Sequence, residues 1–403
     1  MTTNLLSSRW IDRSAVAVVV ILGFAIPVSA ALSGILLAAF AVLFALSGHY
    51  RDRLRAVPAN PVAVAALLLF LWMLMAVSYG TATWTEASLY IGKYRDLVFL
   101  ALFLPYFTAP ELRRKASIAI CGAMAITLVL SFLGAAGLVT GRPENSALVF
   151  KGQITQNLFL AYFGFALLVV ADATKVWSWR LTLRIVAILA IANVVYFGMG
   201  RTGYMAVGLL LFLYLWQKLR LRGVLIFAAL AMLTGVTNTS DSGSPNQRIA
   251  LAVEEIKQWE SGKSDPNSSM GIRMDFYRNS LAIIGEHPLL GVGTGGMINA
   301  YSERIRNTEN LFTRNPHNEY LLIAVQQGMI GLGLLLALFV VQWRMANQLV
   351  LQQESMLARG LVLVMAAGCL FNSLLLDHTE GLAYAWMSAL LFSGPRRESG
   401  GIP

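Results

Sequence analysis

The sequence predicts an all-α polytopic membrane protein of about 12 transmembrane helices, with one long polar loop that carries amphipathic helices. Three observations predict it. The 403 residues are 57% hydrophobic and only 13% charged, about half the charge of an ordinary soluble domain. The charges are clustered, leaving uncharged runs such as Ser14–Gly48 and Pro58–Thr85, and a membrane helix needs about 20 apolar residues. One long polar segment, Thr237 to Thr313, interrupts the pattern.

Division at runs and breakers gives the spans in order. Ser14–Ala30 and Ala31–Ser47 come first; Val28-Ser29-Ala30 resembles a signal-peptide cleavage site, but another apolar run follows, so an uncleaved helix is expected. Pro61–Tyr79, Ser88–Phe107, Ala116–Val139, Gln156–Ala171, Arg180–Gly198, Thr202–Trp216 and Gly223–Val236 complete the N-terminal part. His317–Trp343, Leu357–Leu375 and Gly381–Phe392 follow the polar segment. Several of these are short for a bilayer. The organisation is residues 1–236 with about nine spans, 237–316 as a loop, and 317–403 with about three spans. Cys121 and Cys369 both fall inside spans and provide no disulfide framework. The four histidines have no metal-ligand spacing, and no cofactor is expected.

The net charge of +10 is not a nucleic-acid signature, because it alternates along the chain. Arg9 and Arg13 precede the first span; Arg51, Arg53 and Arg55 follow the second. Arg113, Arg114 and Lys115 follow the fourth, Lys175, Arg180 and Arg184 flank the sixth connection, and Lys218, Arg220 and Arg222 the eighth. Arg344 and Arg359 flank the tenth connection, and Arg396 and Arg397 follow the last span. The positive-inside rule puts all of these, and both termini, in the cytoplasm. The long loop then faces the opposite side, which in a bacterium is the periplasm. Long loops cross despite their charge.

Within that loop, Thr237–Pro245 is polar and turn-rich. Gln247–Trp259 places Ile249, Val253, Ile256 and Trp259 at helical spacing, which predicts an amphipathic helix. Ser261–Ser269 reads as a linker. Gly271–Glu286 reads as a second helix with Met274, Tyr277, Leu281 and Ile284 on one stripe, ended by Pro288. Gly291-Val292-Gly293-Thr294-Gly295-Gly296 lacks the Lys-Ser/Thr of a P-loop; it is a turn, either structural or open to backbone contact with a phosphate or sugar.

Candidate chemistry gathers on the outer face. Asn315-Pro316-His317-Asn318 stands where the polar segment meets an apolar run. Asn315 suits an N-cap and Pro316 the first helical position, which puts His317 in the first turn, where the positive dipole end favours the neutral imidazole that a general base needs. Arg201, in Gly198-Met199-Gly200-Arg201-Thr202-Gly203, is either an arginine near a helix end that snorkels to headgroups or a phosphate ligand: the glycines would clear space for a bulky anion, and a guanidinium suits phosphate. Arg273 opens the second loop helix and is either a surface charge or a second phosphate clamp; Arg278 is a weaker candidate. Lys93, Arg95 and Asp96 interrupt the fourth span, as an internal ion pair or as a basic lining for an anionic lipid head. Gln153 and Asn157 suit sugar hydroxyls or interhelical bonding. Asp377, His378 and Glu380 crowd the eleventh connection, either as a solvated loop or orienting a base.

Three places resemble the O-antigen ligase and polymerase superfamily of bacterial inner-membrane enzymes. They are Gly200-Arg201-Thr202-Gly203-Tyr204; Arg273 followed by His287-Pro288-Leu289-Leu290-Gly291-Val292-Gly293-Thr294-Gly295; and Pro316-His317-Asn318-Glu319-Tyr320-Leu321 followed by Gln327-Gly328-Met329-Ile330-Gly331-Leu332. Gln327 stands where the family commonly has an acid. The resemblance implies a GT-C-type glycosyltransferase at the periplasmic face. Arg201 and Arg273 would hold the pyrophosphate of an undecaprenyl-pyrophosphate-linked polysaccharide and His317 would act on the acceptor hydroxyl. Apart from the resemblance, Asn318, Arg278, Lys93, Arg95, Gln153 and Asn157 are the candidate substrate contacts. No acidic cluster asks for a divalent metal. A single large periplasmic loop favours a ligase, with lipid A–core as acceptor and membrane lipids around it, over a polymerase joining repeat units. A small-anion transporter is the alternative from another class.

Overall fold

The computed structural model describes residues 2–47, 50–198, 200–237, 245–262, 268–308 and 310–397. Among them it is entirely helical: α1 (Thr2–Val28), α2 (Ala30–Leu46), α3 (Tyr50–Ala56), α4 (Pro61–Met75), α5 (Trp84–Tyr94), α6 (Asp96–Phe103), α7 (Pro110–Ala135), α8 (Gln153–Ala173), α9 (Trp177–Ala192), α10 (Arg201–Leu219), α11 (Leu221–Thr237), α12 (Pro245–Glu260), α13 (Ser269–Glu286), α14 (Met297–Ile305), α15 (Glu319–Ala346), α16 (Gln352–Gly368) and α17 (His378–Phe392). Each of the twelve apolar segments falls largely on helix. By length and apolarity five helices are able to cross a membrane: Trp10–Val28 of α1, α7, α8, α9 with its π-helical end at Phe197, and α15; α2 joined to α3 makes a bent sixth. The other segments are short or split; Ser88–Phe107 becomes α5, α6 and a 3₁₀ turn. Most of the turn-rich Thr237–Pro245 stretch and of the Ser261–Ser269 linker lies outside the described residues, as does Met199.

Helix α17 lies at the centre and packs against α1, α6 and α16. It is apolar all round, and its Tyr384 and Trp386 are fully buried, the pattern of a core helix. Its few polar groups are paired: Trp386 Nε1 donates to the Val19 carbonyl at 2.9 Å, and the Tyr384 hydroxyl donates to Gln342 Oε1 at 2.6 Å. Such bonds hold helices together where the surroundings are as apolar as the side chains.

The basic segments gather at one end of the bundle. Arg53 pairs with Asp12 at 3.0 Å, Arg113 with Glu354 at 2.7 Å, and Arg184 and Lys218 both with Asp172. Arg397 donates its backbone N–H to Gln348 O at 2.8 Å, joining the C-terminal residues to the connection after α15. These pairs are what the alternation of charged connections along the sequence requires.

Helix α15 is broken at Gly328, whose φ of 64° and ψ of −166° lie outside the helical region. A break strips the carbonyls before it of their helical donors, and in an apolar medium those must be replaced. Loop donors replace them: Val292 N–H to Val325 O at 2.9 Å and Gly293 N–H to Gln326 O at 2.8 Å, with Trp72 Nε1 to Gln327 O at 3.2 Å. Beyond the break, Met329 N–H donates to Pro288 O at 2.9 Å. The Gly291–Gly296 turn is therefore a structural plug packed against backbone. A Cβ on Gly293, at φ +84°, would collide with Gly80. Its glycines make room for the protein's own chain, which closes the reading of this turn as an open phosphate or sugar contact. Gln327 is buried and donates to Thr294 Oγ1 of the plug at 3.1 Å.

Candidate active site

At the opposite end from the basic pairs, three separate parts of the chain meet one short turn, Leu370–Ser373, between α16 and α17. Asn318 Nδ2 donates to the Leu370 carbonyl at 3.0 Å. Arg273 Nη1 reaches the Phe371 carbonyl at 3.4 Å. Asn372 Nδ2 donates to the hydroxyl of Thr202, the neighbour of Arg201, at 3.3 Å. Ser373 Oγ donates to Asn315 Oδ1 at 2.7 Å. Arg201, Arg273 and His317, far apart in sequence, are thus brought to the same end of the bundle, around one turn.

The helix start expected at Asn315-Pro316 lies three residues later. Asn318 is the N-cap of α15 and its side chain accepts from Leu321 N–H at 3.1 Å. His317 precedes the cap with φ +56°, a region that side-chain-bearing residues seldom occupy. Asn315 holds it there: its side-chain oxygen accepts the His317 N–H at 2.9 Å. Phe276 of α13 stacks beside the imidazole, centroids 6.4 Å apart and planes 27° apart. The neutral imidazole is still favoured, for a different reason than a helix dipole. Burial and the Arg273 guanidinium hold its pKa below the ordinary histidine range, against the opposing Asp377 carboxylate. Burial in turn raises the pKa of Asp377, opposed by Lys93 and His317.

The surroundings of Arg201 differ from expectation. It opens α10 half-buried, but the glycines near it serve α8. Side chains on Gly198 or Gly203 would strike Asn157, and one on Gly200 would crowd both Asn157 and Gln153. Gln153 Nε2 and Asn157 Nδ2 both donate to the Gly198 carbonyl, at 2.6 and 3.1 Å. Gln153 and Asn157 therefore fix the turn that presents Arg201, the interhelical alternative of their two readings; Asn157 is fully buried.

Arg278 turns away: it pairs with Asp275 at 3.2 Å and lies 5.5 Å from the Trp259 ring centroid. Lys93 and Arg95 are exposed, while Asp96 is buried with both carboxyl oxygens unpartnered among the described residues. The internal ion pair is therefore absent there. Lys93 instead lines a cleft with Arg314, Asn315 and Asp377.

Two elements escaped sequence reasoning. Glu319 is fully buried, accepts the Tyr94 hydroxyl, and accepts the Leu375 N–H at 2.9 Å; an acid next to a capping asparagine reads as an ordinary first-turn charge. Helix α14 was legible in Met297, Tyr301 and Ile305 at four-residue spacing. No group of three or more potential metal ligands occurs among the described residues.

Fold and site together define a helical membrane protein with a cationic, histidine-bearing site at one end. Residues 186–336 match the family model for O-antigen ligase. The match includes Arg201, Arg273 and His317 but not the Leu370–Ser373 turn. A 132-residue stretch is 30% identical to an uncharacterized protein of Haemophilus influenzae, covering 31% of this chain and 32% of that protein. The similarity thus spans about a third of that relative's length.

Proposed function

We propose that the protein is an O-antigen ligase. It transfers polysaccharide from undecaprenyl pyrophosphate to the oligosaccharide of lipid A–core at the periplasmic face of the bacterial inner membrane. On this reading the architecture is of the GT-C type with about twelve crossings, some made by short or broken helices. Both termini are cytoplasmic, and residues 237–316 form the periplasmic loop.

The observation that carries the reading is the meeting of Arg273, Asn318 and the Arg201 turn at Leu370–Ser373, inside a chain whose residues 186–336 match the ligase family. Cleavage of the sugar–phosphate bond leaves negative charge on the pyrophosphate. Fixed guanidinium groups stabilise that charge most where water is scarce; Arg201 and Arg273 take this role. His317, kept neutral by burial and by Arg273, accepts the proton of the attacking hydroxyl. Attack from the face opposite the leaving pyrophosphate inverts the anomeric carbon. The arginines supply the charge stabilisation that a divalent ion would otherwise provide, so the reaction is metal-independent.

The test is a transfer assay. Purified protein is incubated with lipid-linked polysaccharide and either lipid A–core or further lipid-linked units. Mass gained by lipid A–core supports the ligase; mass gained only by lipid-linked chains replaces it with a polymerase. Anion uptake by vesicles with no glycan transfer would reject both.

A further inference from the structure

A cleft opens at Asn315, two residues before His317. Its walls are Tyr90 and Lys93 of α5, Ile298 of α14, Arg314 and Asn315 from the segment before His317, and Asp377 at the start of α17. Its volume is about 180 Å³, room for a small group rather than a whole saccharide. We propose that this cleft is a subsite for a phosphate group carried by the acceptor saccharide, with Lys93 and Arg314 as its cations. The inference rests on the transferase reading above and specifies its acceptor.

The segment that carries Arg314 is fixed on both sides. The Tyr90 hydroxyl donates to the Arg314 carbonyl at 2.6 Å. Thr313 Oγ1 donates to Asn315 O at 2.6 Å and accepts Asn315 N–H at 3.0 Å. Asn315 Oδ1 then accepts from Ser373 Oγ and from the His317 N–H. The guanidinium therefore hangs from a rigid backbone three residues from the imidazole. A preorganised cation binds an anion without having to order its own support.

The charge balance favours an anion. Arg314 and Lys93 are both exposed and neither forms an ion pair among the described residues. Asp377 is the only carboxylate among the cleft walls. Arg273 and Asp377 both act electrostatically on His317, in opposite senses. Neither Arg201 nor Arg273, to which the leaving pyrophosphate is assigned, is among the cleft walls. Tyr90 and Asn315 add polar edges suited to sugar hydroxyls, which a plain lipid headgroup would leave unused.

The experiment measures steady-state transfer by the full-length protein in detergent, with lipid-linked donor and two acceptors: phosphorylated lipid A–core, and the same material stripped by phosphatase. Lys93→Gln and Arg314→Gln are each expected to raise the KM for the phosphorylated acceptor about tenfold, the typical worth of one charged contact. The donor KM stays put. The gap to the unsubstituted protein closes on the stripped acceptor, and Lys93→Arg retains a normal KM. Equal losses on both acceptors, an unchanged acceptor KM, or a raised donor KM would overturn the subsite while leaving the transferase reading standing. So would added anionic phospholipid that competes in the unsubstituted protein and not in the variants. If the unsubstituted protein transfers to neither acceptor, the transferase reading itself fails.

Discussion

Glu319 accepts the Leu375 N–H at 2.9 Å with one carboxyl oxygen and the Tyr94 hydroxyl with the other, so one buried side chain ties α15 both to α5 and to the connection before α17. Leaving a buried polar group without its partner costs about 1–3 kcal/mol, and removing Glu319 strands two such groups, about 2–6 kcal/mol together. Glu319→Ala is expected to fall at that level and Tyr94→Phe at about 1.5–3 kcal/mol. Thermal unfolding in detergent measures both; equal, negligible shifts would show that the tie is not structural.

His317→Ala is expected to lower transfer by about 10²–10⁴-fold, the usual contribution of a general base, with donor binding retained. Because its backbone has positive φ, His317→Asn is the better-folded control, asparagine being tolerant of that region. A variant with near-normal turnover would remove the base assignment.

The pH profile follows from the depressed pKa. The base works neutral, so activity is present above the folded-state pKa of His317 and is lost as pH falls through it. Burial and Arg273 lower that pKa, so the acid limb of kcat/KM should lie below the ordinary histidine value of about 6.5. In Arg273→Gln the limb should move upward, provided enough activity remains to measure.

Arg201→Ala and Arg273→Ala are each expected to cost about 10²–10³-fold in kcat, as for loss of one charge-stabilising donor. Arg278→Ala removes an exposed pair with Asp275 and should change activity less than about fivefold. Equal small losses in all three would indicate a diffuse surface field instead.

A chelator is expected to leave transfer unchanged. Loss restored by magnesium or manganese would assign part of the charge stabilisation to a metal ion.

The apolar segments and the amphipathic stripes of α12 and α13 were legible because a helix in lipid has to be apolar and a loop helix has to be two-faced. The grouping of the charged connections was legible for the same kind of reason: alternation fixes sides. What the sequence hid was contact between distant parts. Nothing local in Leu370–Ser373 marks it as a meeting point, since it offers mainly carbonyls. The glycines around Arg201 announced a close approach but not by what; Asn157 and Gln153 were the answer. The cap of α15 was misplaced because Asn315 and Asn318 both suit the position, and the choice fell to Ser373, which holds Asn315 in the loop.

The four-residue turn at Leu370–Ser373 comes late in the chain, after every group it holds in place. A ribosome making this protein releases Arg201, Arg273 and His317 long before their shared anchor exists. The reactive end can only be assembled post hoc, once the last hairpin has inserted. A chain stopped after Gly368 should reach the membrane yet remain catalytically silent, and co-expressing the missing turn and α17 as a separate fragment should revive it.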